Sequence, residues 1–242
     1  MKRTIALLMA IAMLFALAAC GSSGAAEPAG STAAEEAAAP DQAKSDSSNE
    51  PLDAEIVESG YKVDGGYLYY SVTLHNPNTD YAIETPSYRV TAKDESGAVL
   101  GTMEHTLSVI YPGQDFSYAF QGFSCDGEPA EVSFDIIPAE DYNFTKVSAL
   151  EHDTFVPLEI VGANMTSDGF TSSVLGEVKN NNDYDIDSAV VVVFFRDADG
   201  NLEGGMSTFI NNVPAGGTAA FDVDIYSDII TDNFEVYANS WL

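Results

Sequence analysis

Ala189-Val190-Val191-Val192-Val193-Phe194-Phe195-Arg196-Asp197-Ala198-Asp199-Gly200 decides how the chain after residue 50 is read. Six consecutive β-branched or aromatic residues specify a strand, and Asp-x-x-Gly ends it in a tight turn. A weaker version of the same pattern runs through Ser87-Tyr88-Arg89-Val90-Thr91-Ala92-Lys93-Asp94-Glu95-Ser96-Gly97. One unit is therefore used twice, and the two copies can be compared position by position.

Outward from these stretches the landmarks recur in register. Asp94 and Gly97 match Asp197 and Gly200 at an offset of 103, as do Tyr81 with Tyr184, Ile83 with Ile186, Met103 with Met206 and Gly113 with Gly216. Upstream, Ala54-Glu55-Ile56-Val57 matches Leu158-Glu159-Ile160-Val161, and Leu74-His75-Asn76 matches Val178-Lys179-Asn180, at 104. One residue lost from the Asn-rich turn accounts for the difference. In Tyr67–Leu74, the residues Leu68, Tyr70, Val72 and Leu74 share one face, as a half-buried strand requires. Val99–Ile110 reads as extended, Tyr111-Pro112-Gly113 as a turn, and Phe116-Tyr118-Phe120 and Val132-Phe134-Ile136 as alternating strands. No stretch here carries a sustained helical period.

The fold class that follows is all-β: two tandem immunoglobulin-like antiparallel β-sandwich domains after a disordered tether. The expected boundaries are 51–138 and 155–242, with a polar connector at 139–154. The order of turns in each copy is similar to FxLYD-type immunoglobulin-like domains, over roughly 52–137 and 156–241. That family's eponymous letters are not reproduced: Val193-Phe194-Phe195-Arg196-Asp197 keeps only the final Asp and an apolar lead-in. The resemblance implies binding or spacer modules on lipid-anchored surface proteins of Gram-positive bacteria.

The N-terminus supplies the address. Lys2 and Arg3 precede an apolar run from Ile5 to Ala16, too short for a permanent membrane span, and Leu17-Ala18-Ala19-Cys20 looks like a bacterial lipobox. That resemblance implies a signal peptide over 1–19, lipidation of Cys20, and anchoring at the extracellular face of the cytoplasmic membrane. Each buried acyl methylene contributes about 0.8 kcal/mol, so two chains hold firmly where one does not. Residues 20–50 are Ala-, Gly-, Ser-, Pro- and Glu-rich and cannot bury enough apolar surface to order themselves, which reads as a disordered linker. As a flexible chain it reaches roughly 30 Å on average.

The whole chain has 9 basic and 38 acidic residues, and loss of Lys2 and Arg3 leaves a net charge of −31. Nucleic acid is excluded as a partner, because phosphate recognition needs a basic footprint. Basic partners and divalent cations fit such a surface, and so does plain solvation. With Cys20 assigned, Cys125 has no partner for a disulfide. Its neighbours Asp126 and Glu128 raise a thiol pKa, which argues against a nucleophile.

Candidate chemistry is sparse. Asp197, Asp199, Asn201 and Glu203 offer oxygens at alternate positions, but the glycine and glutamate spacing is wrong for an EF-hand, and the first copy lacks the set. A structural hairpin turn is the preferred reading. His75, His105 and His152 are scattered and read as solvent or turn residues. Tyr61, Tyr67 and Tyr69 suit sugar stacking, but lining a sheet edge or packing on the connector is the preferred reading. No nucleophile elbow, Ser-x-x-Lys or phosphate loop is present, so no enzyme and no cofactor are expected.

The comparison of copies yields a sharper expectation. If Ser87, Arg89 and Thr91 face water, their counterparts Val190, Val192 and Phe194 form an apolar outer face, joined by Phe209 in place of Thr106. Such a face implies an interface with the first domain, a second copy or a foreign partner, or a cover formed by the connector. Changing Val192 and Phe194 to Thr is expected to leave folding intact and weaken association. The functional expectation is a non-catalytic binding, interaction or spacer module, with a protein or cell-wall component as its partner. The alternative is an accessory or substrate-capturing lipoprotein of an envelope enzyme or transporter.

Overall fold

The alternating and β-branched stretches form strands wherever they occur. The structure, a computed structural model, describes residues 50–152, 154–167, 171–225 and 232–241; the 1–19 segment, Cys20 and the rest of the linker up to residue 49 lie outside the described residues. In the first repeat the strands are β1 (Glu55–Asp64), β2 (Tyr67–His75), β3 (Tyr81–Ile83), β4 (Ser87–Lys93), β5 (Val99–Thr106), β6 (Asp115–Ser124) and β7 (Glu131–Ile137). After β8 (Phe144–Lys146) the second repeat follows: β9 (Glu159–Ser167), β10 (Ser172–Lys179), β11 (Ile186–Arg196), β12 (Leu202–Val213), β13 (Thr218–Ile225) and β14 (Phe234–Ser240). No α-helix occurs among the described residues, only single 3-10 turns at Asp141–Asn143 and Val147–Ala149.

Each repeat is a sandwich of two antiparallel three-stranded sheets. In the first, β1-β2-β6 faces β5-β4-β7; in the second, β13-β10-β9 faces β12-β11-β14. Hairpins β1-β2 and β4-β5 stay within a sheet, while β6 returns to β2 and β7 to β4, the crossing connections of an immunoglobulin-like sandwich. Leu68, Tyr70, Val72 and Leu74 of β2 are fully buried against Tyr88, Val90 and Ala92 of β4, as the alternation requires. Val191, Val193 and Phe195 of β11 do the same against Val174, Val178, Phe221 and Val223.

The repeat offset holds in the pairing, with one break. Leu68 pairs with Phe123 past an irregularity in β6, where Gly122 has φ 100°, whereas the equivalent Ser172 pairs with Ile225 without one. The extra residue shifts the last strand by one, so that Val90 opposes Phe134 while Val193 opposes Val236.

Two further findings modify the expected layout. The 139–154 stretch is more than a polar connector: β8 within it pairs with β3, Tyr81 to Lys146 through Ile83 to Phe144. And the two sandwiches are not separate beads, since Ser48–Leu242 is one compact unit. Val190, Val192, Phe194 and Leu202 belong to the same buried cluster as the core of the first repeat.

Candidate functional site

The contact between the repeats is built from the outer face of β11-β12-β14 and the outer face of β1-β2-β6. Val190, Val192 and Phe194 are fully buried there. Opposite them the first repeat offers small side chains: Ser71 is fully buried on β2 beside Ala119 on β6. On β12, a Cβ at Gly205 would meet the Ser71 hydroxyl at 2.7 Å and Ala119 at 2.9 Å. A Cβ at Gly60 would overlap the Leu202 carbonyl. The backbones approach closely because these positions lack side chains.

Polar contacts ring this face. Arg196, on β11, donates to Glu58 at 2.6 and 3.0 Å and to Glu235 at 2.7 and 3.0 Å, linking the two repeats. The same arginine holds the Glu235 carboxyl below its ordinary range. Lys62 pairs with Glu203 at 3.1 Å. Ser207 donates to the Ala119 carbonyl at 2.9 Å, and Asn239 to the Ser117 carbonyl at 2.8 Å.

The outer-face candidates thus divide. Val190, Val192 and Phe194 meet the first repeat, one of the occupants considered for them. Phe209 lies at the edge of that contact; it is 49% exposed and stacks edge-on at 5.1 Å against Trp241, which in turn packs on the first repeat. The expectation that Val192→Thr with Phe194→Thr leaves folding intact is corrected, because both side chains sit in a core shared by the two repeats.

The Asp197 turn is closed on itself. Its Oδ1 accepts from the backbone N–H groups of Asp199 and Asn201, both at 2.8 Å, and Oδ2 accepts from the Asn201 amide. Those bonds lower the Asp197 pKa, and Asp94 is lowered in the same way by Ser96 and Ala98 in the matching turn. Gly200 and Gly97 supply the positive φ, 89° and 84°. Glu203 is drawn away to Lys62, and no three His, Cys, Asp or Glu side chains among the described residues gather closely enough to hold a metal ion.

His105 is not a solvent residue. It sits half-buried between the Tyr118 hydroxyl at 3.0 Å from Nε2 and the Tyr70 hydroxyl at 3.4 Å from Nδ1, with Tyr88 stacked on its ring; burial lowers its pKa. His75 lies 2.8 Å from Asp115, and His152 stacks on Tyr184 at 3.5 Å. Tyr69 packs on the second repeat rather than on an edge or the connector, whereas Tyr61 and Tyr67 remain 38% and 51% exposed. Burial pushes the Cys125 thiol up, with Asp126 and Glu128 adding to it.

Three adjoining cavities, lined in part by Leu150, Phe155, Pro157 and Leu158, form a cleft. The widest, about 640 Å³, lies between Glu58, Thr73 and Ser117 of the first repeat and Ile160, Val236 and Tyr237 of the second. The next, about 300 Å³, shares Asp115, Pro157, Ala238 and Asn239 with it and adds Tyr111, Phe155 and Ser240. The third, about 260 Å³, shares Tyr111 and Ser240 and ends on Glu151, His152, Tyr184, Asp185 and Asp187. Tyr111 stacks on Phe155 at 4.7 Å, nearly parallel. Burial first, and then its neighbour Tyr111, push the Tyr184 hydroxyl up to about 12.

Sequence reasoning missed this cleft. Tyr111 reads as a turn residue and Tyr184 as a repeat landmark, and only the packing of the repeats brings them together. The usable signal was asymmetry: position 214, the counterpart of Tyr111, is proline.

No family model matches the chain, and no curated protein matches it. Among solved structures, the C-terminal globular domain of an oligosaccharyltransferase from Pyrococcus abyssi aligns at 11% identity over 76% of this chain, with a TM-score of 0.14. The alignment spans 46% of that chain, and a likeness this slight bears on neither fold nor activity.

Proposed function

We propose that this is a lipid-anchored protein of the outer face of a bacterial cytoplasmic membrane, and that it holds out a rigid, non-catalytic double sandwich whose inter-repeat cleft is its binding surface. Leu17-Ala18-Ala19-Cys20 after a basic and then apolar lead supports the anchor. The similarity in turn order to FxLYD-type domains supports a surface module. The observation that carries the binding role is the cleft itself: it lies between packed repeats, where ligand sites concentrate, and its walls are aromatic with a few placed polar groups. The apolar outer face of β11 supports no foreign partner, because the first repeat occupies it.

Two measurements on intact cells test the reading. Wild-type protein is expected to take up labelled palmitate and sediment with membranes, and Cys20→Ala to do neither. Cross-linking from a photoreactive residue at Pro157, on the cleft rim, is expected to trap an envelope component that the same residue at Tyr142, exposed and outside the cavities, does not. Equal trapping at both positions would remove the cleft from the proposal.

A further inference from the structure

The cleft follows the open edge of a strand. Val236, Tyr237, Ala238 and Asn239 of β14 all line the 640 Å³ cavity, and Ala238 and Asn239 also line the 300 Å³ one beside it. A sheet face presents every second residue, so consecutive ones mean that β14 shows the cleft its edge. β14 pairs only with β11, and the register fixes where its backbone groups point. Trp241 donates its N–H to the Ser188 carbonyl at 2.8 Å, and Arg196 donates its own to the Asn233 carbonyl at 3.0 Å. Both bonds join directly opposed residues in the same register as the strand between them. Alternation then turns the backbone groups of Glu235, Tyr237 and Asn239 toward β11, and those of Val236 and Ala238 away from it, to the free edge. No hydrogen bond among the described residues takes up the N–H or carbonyl of Val236 or Ala238.

From this geometry we infer that β14 accepts a further strand, an extended segment of another polypeptide that pairs with the free edge at Val236 and Ala238. Main-chain bonds hold such a strand and alternate side chains select it. The segment makes β12-β11-β14 four-stranded and carries the contact between the repeats onward. On β6 the Ala119 carbonyl accepts from Ser207 of β12, the Ser117 carbonyl accepts from Asn239 of β14, and Asp115 comes next, on the cleft wall. The incoming strand lies where that progression leaves the first repeat uncovered. Its side chains alternate between two surroundings. Those sharing the face of Val236 and Ala238 meet Leu158 and Ile160 and are apolar, while those between meet Thr73, Asp115 and Ser117 and are polar. With Glu58 and Asp115 on the walls and no lysine or arginine among the residues lining these two cavities, the polar positions favour basic side chains. The inference rests on the reading of the cleft as a binding surface and adds to it the kind of partner.

The test follows amide hydrogen exchange by two-dimensional NMR in the isotopically labelled full chain, with a capped hexapeptide alternating valine and lysine as the probe. In the free protein Tyr237 and Asn239 are expected to exchange slowly, and Val236 and Ala238 fast. At saturation the peptide is expected to slow Val236 and Ala238 about tenfold, and a peptide of the same residues arranged in two blocks to do far less. Ala238→Pro removes an N–H that β11 does not use, where an edge strand tolerates proline, and is expected to keep the fold and weaken the peptide about tenfold. Slow exchange of Val236 and Ala238 in the free protein, or no slowing by the peptide, would overturn the inference. So would slowing that follows protein concentration alone, as a second copy gives, equal slowing by the blocked peptide, or undiminished binding by folded Ala238→Pro. The exchange comparison is made on wild type, so it decides the matter even where Ala238→Pro does not fold. An envelope component trapped at Pro157 without any peptide effect on β14 keeps the cleft and removes the strand. Slowed exchange with equal trapping at Pro157 and Tyr142 keeps the edge and removes the envelope partner.

Discussion

Each repeat closes on one buried asparagine. Asn76 donates from Nδ2 to the carbonyls of Tyr81 and Ile110 at 2.9 and 2.8 Å, and its Oδ1 accepts from both the N–H and the amide of Asn78. Asn78 in turn grips Leu52 N–H and carbonyl, both at 2.8 Å. Asn180 and Asn182 repeat every bond on Tyr184, Val213 and Val156. Truncating Asn76 or Asn180 to Ala strips partners from several buried groups at about 1–3 kcal/mol apiece, so each variant is expected to lose about 3 kcal/mol in urea denaturation. Asp at either position keeps the acceptor but not the donor, and is expected to fare no better. His105 governs a pH response. Burial depresses its folded pKa, so the unfolded chain binds the proton first as pH falls. The stability His105 contributes is complete above about 6.5, the value of an unperturbed histidine, and drains as pH falls from there toward its folded pKa. Urea midpoints between pH 7.5 and 5 are expected to drop further for wild type than for His105→Gln. Parallel curves would show that the imidazole between Tyr70 and Tyr118 plays no such part.

At the scale of strands, β4 and β11 show how one pattern serves two surroundings. On β4 the outer positions carry polar ladders to β5: Ser87 to Thr106 at 2.8 Å, Arg89 to Glu104 at 2.6 and 2.8 Å, and Thr91 to Thr102 at 3.4 Å. On β11 the same positions are Val190, Val192 and Phe194, opposite Phe209, Ser207 and Gly205. Val192→Thr with Phe194→Thr places hydroxyls in a sealed contact and removes a ring, a loss of about 4–6 kcal/mol expected in guanidinium unfolding. The reverse change on β4, Arg89→Val with Thr91→Phe, leaves an apolar face with nothing to cover it, and concentration-dependent association in sedimentation is the expected result. The comparison of copies made this legible: the phase of β11 followed from alternation and the anomaly from its polar twin. Which occupant covered the face was not legible, because Ser71, Ala119 and Gly60 carry no signal of their own as interface residues. Small side chains on a strand become informative only when a second sheet lies against them. The Asn-x-Asn clamps were visible only as turn residues, since their partners lie up to 34 positions away.

Across the molecule, the four three-stranded sheets stack in one order, and both end faces are polar: the ladders on β4-β5 at one end, and Glu177, Asp222 and Asp224 with Leu175 on β10-β13 at the other. Two repeats therefore close the stack, in the way capping repeats close a longer array. Whether the stack unfolds as one body depends on the central contact, and the protein carries its own reporter there. Trp241 is the single tryptophan, and it packs on Phe116 and Tyr118 of the first repeat and on Phe209 of the second. If the contact couples the sandwiches, tryptophan fluorescence and far-ultraviolet circular dichroism trace the same denaturation curve in wild type. Gly60→Val drives a side chain into the Leu202 backbone, and overpacking of this kind costs about 1–3 kcal/mol, here taken from the contact rather than from either sandwich. The fluorescence transition of that variant is expected to move to lower denaturant while the dichroism of the separated sandwiches persists. Coincident curves in the variant would mean that the sandwiches do not outlive their contact, and that the stack is the folding unit.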